Sequence, residues 1–240
     1  MSKIIFYPKS KLVKEVIPPF QVCSVPDWYK TIPMYKDADG QAAGKLVVKD
    51  GHANYSLKSC MPFLDSMLTG YMLTLWCDVQ VRLENGNTYL DWINQTEELA
   101  PVVSAPNPRV PSSAGHTPYV FSWKSQWGIK TPKGYSCILT HPFNREDLPF
   151  KTTTGVMDTD QWGIWGTQPF SLQEGWEGVI KAGTPLVQII PFKRESWKST
   201  VDVETGEGSL SEWANYEYAR HSSKFRGYYK NNYWLKKEYK

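Results

Sequence analysis

The stretch Gly155-Val156-Met157-Asp158-Thr159-Asp160-Gln161 carries the best-defined candidate chemistry in the chain. Two carboxylates at i and i+2 of an extended segment project on the same side, and the preceding glycine lets another group approach closely. One such acid can orient a water or hold a cation. Gly155, Asp158, Asp160 and Gln161 are therefore the candidate ligand-binding residues. The plainer reading of the same acids is that they close a turn or end a strand.

No other constellation competes with it. His52, His116, His141 and His221 show no metal-ligand spacing. His141 precedes Glu146 and Asp147 and could pair with a carboxylate, although a polar residue ending a strand is the commoner case. Ser112 and Ser113 lack a nucleophile-elbow context. Gly163, Gly166, Gly175 and Gly178 punctuate hairpins rather than cradle a phosphate. The acidic loop from Asp37 to Gly44 lacks the later ligands of a calcium loop and reads as a solvated turn. No catalytic triad and no metal site is expected. Cys23, Cys60, Cys77 and Cys137 form no Cys-x-x-Cys, which favours a reducing compartment over zinc or a disulfide framework.

The elements that must position these residues are mostly strands. From Gly134 to Arg194 short apolar runs alternate with turn residues about every ten positions, the pattern of a compact antiparallel β-barrel or sandwich. Strands are predicted at 3–7, 70–83, 88–93, 119–124, 128–130, 134–140, 151–157, 161–166, 170–173, 178–180 and 186–192. Asn85-Gly86 is a two-residue hairpin turn. Residues 8–60 carry Pro18, Pro19, Pro26 and Pro33 and read as an irregular arm, with one helical turn over Val25–Lys30. Residues 94–118 form a proline-rich loop. Ser209 or Ser211 could cap a helix running to about His221. The expected division is an arm over 1–59, a β-domain over 60–198 and a helix with a tail over 199–240.

The totals fit that picture. A chain of 240 residues with 41% apolar and 21% charged residues can bury a sizeable core. The 11 Trp and 14 Tyr are many, and aromatics favour both pleated surfaces and interfaces. A net charge of +3 does not by itself argue for nucleic acid. No run approaches the ~18 apolar residues of a membrane span, and the N-terminal residues lack a signal-peptide core, so a soluble, non-secreted protein is expected. From Lys224 to Lys240, six Lys/Arg face one Glu among interleaved aromatics. Arg226, Tyr228, Tyr229, Tyr233 and Trp234 are the candidate partner-binding residues, either against another subunit or, less readily, against nucleic acid. Plain solvated surface is the remaining reading.

The order Gly70-Tyr71-Met72-Leu73, Thr131-Pro132-Lys133-Gly134-Tyr135, Gly155 to Asp160 and Ile180 to Ile190 resembles the dUTPase superfamily over roughly residues 60–194. The resemblance implies a distorted jelly-roll β-barrel, usually trimeric, with nucleotide sites at subunit interfaces. It makes Asp158 the counterpart of the water-activating acid; no cofactor is expected unless a nucleotide binds, in which case Mg²⁺ and a base-reading Gln161 amide would serve. This sequence departs from the family's pattern at several places. Met72 stands where the family has Asp. His141-Pro142-Phe143-Asn144 lies where a Pro-Arg-Ser-Ser phosphate cradle belongs, Gln161 stands where a Tyr packs on the sugar, and the glycine-rich C-terminal arm is missing. Pro26-Asp27-Trp28-Tyr29-Lys30, Cys60-Met61-Pro62-Phe63 and the close at Gly183–Arg194 are similar to proteins of tailed bacteriophages. Together these imply a non-enzymatic structural or interaction protein of a virion, found in the virion or host cytoplasm and trimeric, with other virion proteins as partners. The alternative is a nucleotide-binding protein or pyrophosphatase with a remodelled pocket.

Overall fold

Turn residues spaced every few positions cut this chain into short strands, and a computed structural model shows how they pair. It describes residues 2–37, 39–49, 52–92, 96–103, 112–163, 166–200, 207–220 and 228–240. The chain is mostly β-sheet with few helices. In order the elements are β1 (Ile5–Pro8), α1 (Lys11–Val16), β2 (Gln21–Val22), α2 (Asp27–Thr31), β3 (Val48–Lys49), β4 (His52–Ala53), α3 (Met61–Leu68), β5 (Tyr71–Thr74), β6 (Val79–Glu84) and β7 (Asn87–Trp92). There follow β8 (Val102–Val103), β9 (His116–Lys124), β10 (Trp127–Lys130), β11 (Tyr135–Thr140), β12 (Phe150–Thr152), β13 (Gly155–Met157), β14 (Thr167–Gln173), β15 (Gly178–Ile180), β16 (Pro185–Lys193), α4 (Glu207–Arg220) and α5 (Tyr228–Asn232).

Two compact units share the chain, and the residues 1–59 divide between them. The first unit holds Met1–Cys23, Thr69–Arg194 and Tyr239. Its strands pair antiparallel throughout, in a five-stranded sheet (β13-β11-β16-β5-β2), a four-stranded sheet (β12-β14-β9-β8), a three-stranded sheet (β15-β6-β7) and a β1-β10 ribbon. Among the described residues these ladders stay open, and no closed barrel runs through them. The core is aromatic at its centre: Trp123 stacks on Phe170 with centroids 3.7 Å apart and 6° between planes, and Phe150 meets both edge-on. Such offset and edge arrangements add to the burial energy of the rings.

Three predicted strands come out differently. The run 70–83 is two strands, because Leu75 leaves the sheet to exchange hydrogen bonds with Gly183 and Thr184. Asp78 then accepts the Lys181 ammonium and the Ala182 N–H, so β5 pairs with β16 and β6 with β15. The run 151–157 is divided between β12 and β13, which belong to different sheets. The predicted strand at 161–166 is a turn at its start, since the N–H groups of Gln161 and Trp162 both reach the Asp158 carbonyl. The Asn85-Gly86 hairpin forms as read, with both residues at positive φ. Helix α1 interrupts what read as an irregular arm; the Ser10 hydroxyl accepts the Val13 N–H at its start.

The second unit holds Ser24–Leu68, Glu195–Glu238 and Lys240. In it Tyr29 and Trp28 of α2 pack on Phe63 of α3. The Lys58 ammonium satisfies the carbonyls of Lys30 and Ile32 at the end of α2. Tail and α3 meet at Asp65, whose Oδ2 accepts Trp234 Nε1 at 2.8 Å and Lys237 Nζ at 2.6 Å. No described helix is long and apolar enough to cross a membrane.

Gly70, just before β5, has no room for a side chain. Its φ is +83°, and a Cβ there would drive into the Ile189 carbonyl oxygen. Gly70→Ala should therefore cost at least about 2 kcal/mol, because both strain and collision act on a buried strand. Urea unfolding of the variant against the parent chain checks this, and an unchanged midpoint would contradict it.

Candidate functional site

The two candidate acids sit where β13 ends and a turn begins. Strand β13 pairs with β11, and β11 pairs in turn with β16. That order brings Ser136 at the start of β11, Asp158 just past β13 and Arg194 just past β16 to one edge. The acids do not lie on one face of a strand, as the spacing suggested. Strand β13 stops at Met157, and Asp158 opens the turn whose carbonyl receives Gln161 and Trp162. Arg194 is what brings the two carboxylates together.

Its guanidinium forks onto Asp160, with Nη1 2.7 Å from Oδ1 and Nη2 2.5 Å from Oδ2. Nη1 also reaches Asp158 Oδ1 at 3.2 Å, the Ser136 hydroxyl at 2.9 Å and the Tyr135 carbonyl at 3.1 Å. Ser136 donates to Asp158 Oδ1 at 2.6 Å, and the Gly134 N–H donates to Asp160 Oδ2 at 2.7 Å. The Asp160 side chain is 1% exposed, whereas that of Asp158 is 60% exposed. The hydrogen bonds from Arg194 hold the Asp160 carboxyl well below the ordinary carboxylate range, so it is ionised at any working pH. Between the acids Thr159 is buried, its hydroxyl 2.7 Å from that of Thr131. This is a fastened turn with one carboxylate inward and one outward.

Gly155 needs no special space, because a Cβ there would meet nothing within 4 Å. Gln161 is exposed and lines two adjoining open depressions of about 410 and 460 Å³. Both also reach Asp160 and Lys130; the first adds Tyr7 and Trp162, the second Lys3 and Lys133. Sequence reasoning missed Arg194 and these lysines. Nothing in the local spacing marks them, since Arg194 lies 34 residues from Asp160 and Lys3 is brought in by the β1–β10 pairing.

The remaining candidates have structural settings. His141 is buried, and Thr152 N–H donates to its Nδ1 at 3.3 Å while Nε2 faces the Arg145 carbonyl at 3.2 Å. That pattern places the ring proton on Nε2. Asp147 is engaged instead by Arg145, at 2.8 Å to each oxygen. No disulfide forms among the four cysteines, and burial pushes the thiols of Cys23 and Cys77 up to about 12 and about 11. Such thiols are protonated and poor nucleophiles. The Asp37 carboxylate accepts the N–H groups of Asp39 and Gln41 within its own loop. Among the described residues no cluster of three or more His, Cys, Asp or Glu could hold a metal ion.

Of the partner-binding candidates, Trp234 is held by Asp65 of its own chain. Tyr228 and Tyr233 bring their hydroxyls within 3.5 Å of each other, and Tyr229 and Tyr233 remain 45% and 60% exposed. Arg226, His221 and residues 104–111 of the proline-rich loop lie outside the described residues.

No family model matches the chain, and no curated protein matches it. The solved structures it is similar to include two variants of the dUTPase of Staphylococcus bacteriophage 80alpha. One is 12% identical and the other, with dUpNHpp, is 14% identical. Each match covers 54% of this chain, and 98% and 89% of the respective dUTPase chains, with a TM-score of 0.24 in both cases.

Two outcomes are expected from this geometry. Burial lowers the His141 pKa from 6.5 to about 4, so below pH 6.5 the unfolded chain takes up a proton that the fold refuses. Stability should be full above pH 6.5 and fall by about 3 kcal/mol on descending to about pH 4, beyond which this group contributes no further change. Chemical unfolding across pH 4–8, with His141→Gln flattening the profile, checks it. Arg194→Ala should lower the melting temperature more than Arg194→Lys does, because alanine leaves the inward Asp160 carboxylate without a counter-charge.

Proposed function

We propose that this chain is a non-enzymatic structural and interaction protein, a bacteriophage virion component that self-assembles as a trimer on a dUTPase-like β-scaffold. The observation that carries the reading is the use made of Arg194. Phosphoryl chemistry needs acids that present lone pairs to a metal or water, and cations that neutralise phosphate. Here both oxygens of Asp160 and one of Asp158 are engaged, and the guanidinium that could meet a phosphate is spent on the two acids. The three groups together carry a net charge of −1, the wrong sign for a triphosphate cradle.

Surface aromatics support the interaction half of the proposal. In the second unit Trp197, Trp213, Tyr218 and Tyr233 are 87%, 66%, 70% and 60% exposed. Helix α4 is described at side chains 212–218, and every one of them is exposed. Among the described side chains of that helix none is buried, and Trp, Tyr and Arg are the efficient anchors of protein interfaces.

Native mass measurement and a nucleotide assay test the reading together. The purified chain should run as a trimer or larger, release no pyrophosphate from any deoxynucleoside triphosphate with Mg²⁺, and gain no melting temperature from them. A true ligand at 100 times its Kd would stabilise by about 2.7 kcal/mol, so the absence of a shift is informative. Trp213→Ser combined with Tyr218→Ser should move the mass toward monomer without lowering the melting temperature. A strict monomer would overturn the assembly reading. Hydrolysis that disappears in Asp158→Ala would replace it with a Mg²⁺-dependent nucleotide pyrophosphatase, the exposed Asp158 being its acid.

A further inference from the structure

The outer face of the β1–β10 ribbon bears a groove that the acid pair does not explain. Registry places Ile5 opposite Lys130 and Tyr7 opposite Gly128, and Lys3 lines the same depression as Ile5 and Lys130. Tyr7 is seated on backbone. A Cβ at Gly128 would collide with its ring, and one at Gly163 would lie 2.7 Å from its hydroxyl and 2.8 Å from the Ile129 carbonyl oxygen. Neither glycine has a positive φ, so no turn demands them. The demand comes from the ring, which two bare backbones hold in place as a wall of the groove. Trp162, 65% exposed, stands beside Gly163 in the same wall.

The floor and rim are basic. Lys3, Lys130 and Lys133 are exposed, and none of them makes an ion pair among the described residues. The one carboxylate in the lining, Asp160, is already matched by Arg194 and the Gly134 N–H. Three uncompensated ammonium groups therefore face a shallow channel walled by a fixed Tyr, an exposed Trp and the amide of Gln161. The two depressions of about 410 and 460 Å³ adjoin through Lys130 and are both open to solvent, which suits an extended ligand better than an enclosed one.

We infer that this groove binds single-stranded nucleic acid, with phosphates along Lys3, Lys130 and Lys133 and a base stacked on Trp162 beside Tyr7. Charge that tracks a backbone and aromatic rings that accept any base are the elements of sequence-tolerant strand binding. The inference is independent of the assembly reading and of the basic tail.

Fluorescence anisotropy of a labelled oligo-dT of about 12 nucleotides with the full-length chain, from 50 to 200 mM salt, tests it. Binding should weaken steeply with salt, and Lys130→Glu and Lys133→Glu should each reduce the slope of log K against log salt by about one. Trp162→Ala should weaken binding about tenfold with the slope unchanged. Lys236→Glu with Lys240→Glu in the tail should leave the groove's affinity as it was. Melting temperatures equal to the parent's establish that the variants fold. No binding at 50 mM salt would overturn the proposal. So would loss confined to the tail variant, or a mononucleotide that competes as well as the strand does.

Discussion

Strand β16 is the constraint on which the first unit depends. Leu186, Val187, Gln188 and Ile189 are all fully buried, so each polar group they carry needs a partner inside the protein. Two ladders, to β11 and β5, meet most of that demand. The rest is met by specific groups. A register shift between Pro185 and Val187 interrupts the β5 ladder at Leu186, and the Leu186 carbonyl accepts the Thr152 hydroxyl at 2.7 Å. The buried Gln188 amide donates to the Thr69 carbonyl and accepts the Phe143 N–H, tying the approach to β5 to the loop after β11. Gly70 exists because the backbone of β16 passes too close for any side chain.

The same strand sets the chemistry at its far end. Arg194 follows Lys193 directly, and its own N–H is tied to the Gly134 carbonyl at 2.8 Å. The guanidinium therefore arrives over the turn at Asp158–Gln161 from a fixed direction. A fork of two N–H groups onto one carboxylate is both strong and directional, which orients Asp160 inward and leaves Asp158 at the rim. Through Ser136, Asp158 and Arg194 the ends of β11, β13 and β16 are tied together.

Much of the fold was legible because turns and alternation are local. Asn85-Gly86 announced its hairpin, and the strands from His116 to Thr140 fell close to where β-prone runs occur. The failures are places where a distant partner overrides a local preference. Residues 70–83 have the composition of one strand, yet Leu75 and Asp78 are claimed by the loop at Lys181–Thr184, about a hundred positions on. Gln161 and Trp162 are bent into a turn by a carbonyl three and four residues back, which propensity alone does not reveal. Of the candidate site, the acids were legible and the contacts that hold them were not. Arg194, Ser136 and the lysines of the ribbon carry no signature until the strands are paired.

The turn at Asp158–Gly163 shows how one short segment can serve packing and recognition at once. Asp160 and Thr159 face inward, where Arg194, Gly134 and Thr131 satisfy them, and this fixes the backbone. Gln161 and Trp162 then have no choice but to face outward, and Gly163 must stay bare because the Tyr7 ring and the Ile129 carbonyl occupy the space beside it. The inward half ties up the Asp160 carboxylate. In exchange the outward half gains a rigid mount, and an aromatic side chain on a rigid mount loses little entropy when it meets a ligand. A turn that holds one acid inward can therefore still present a fixed outer surface, beside which the ribbon sets three exposed lysines.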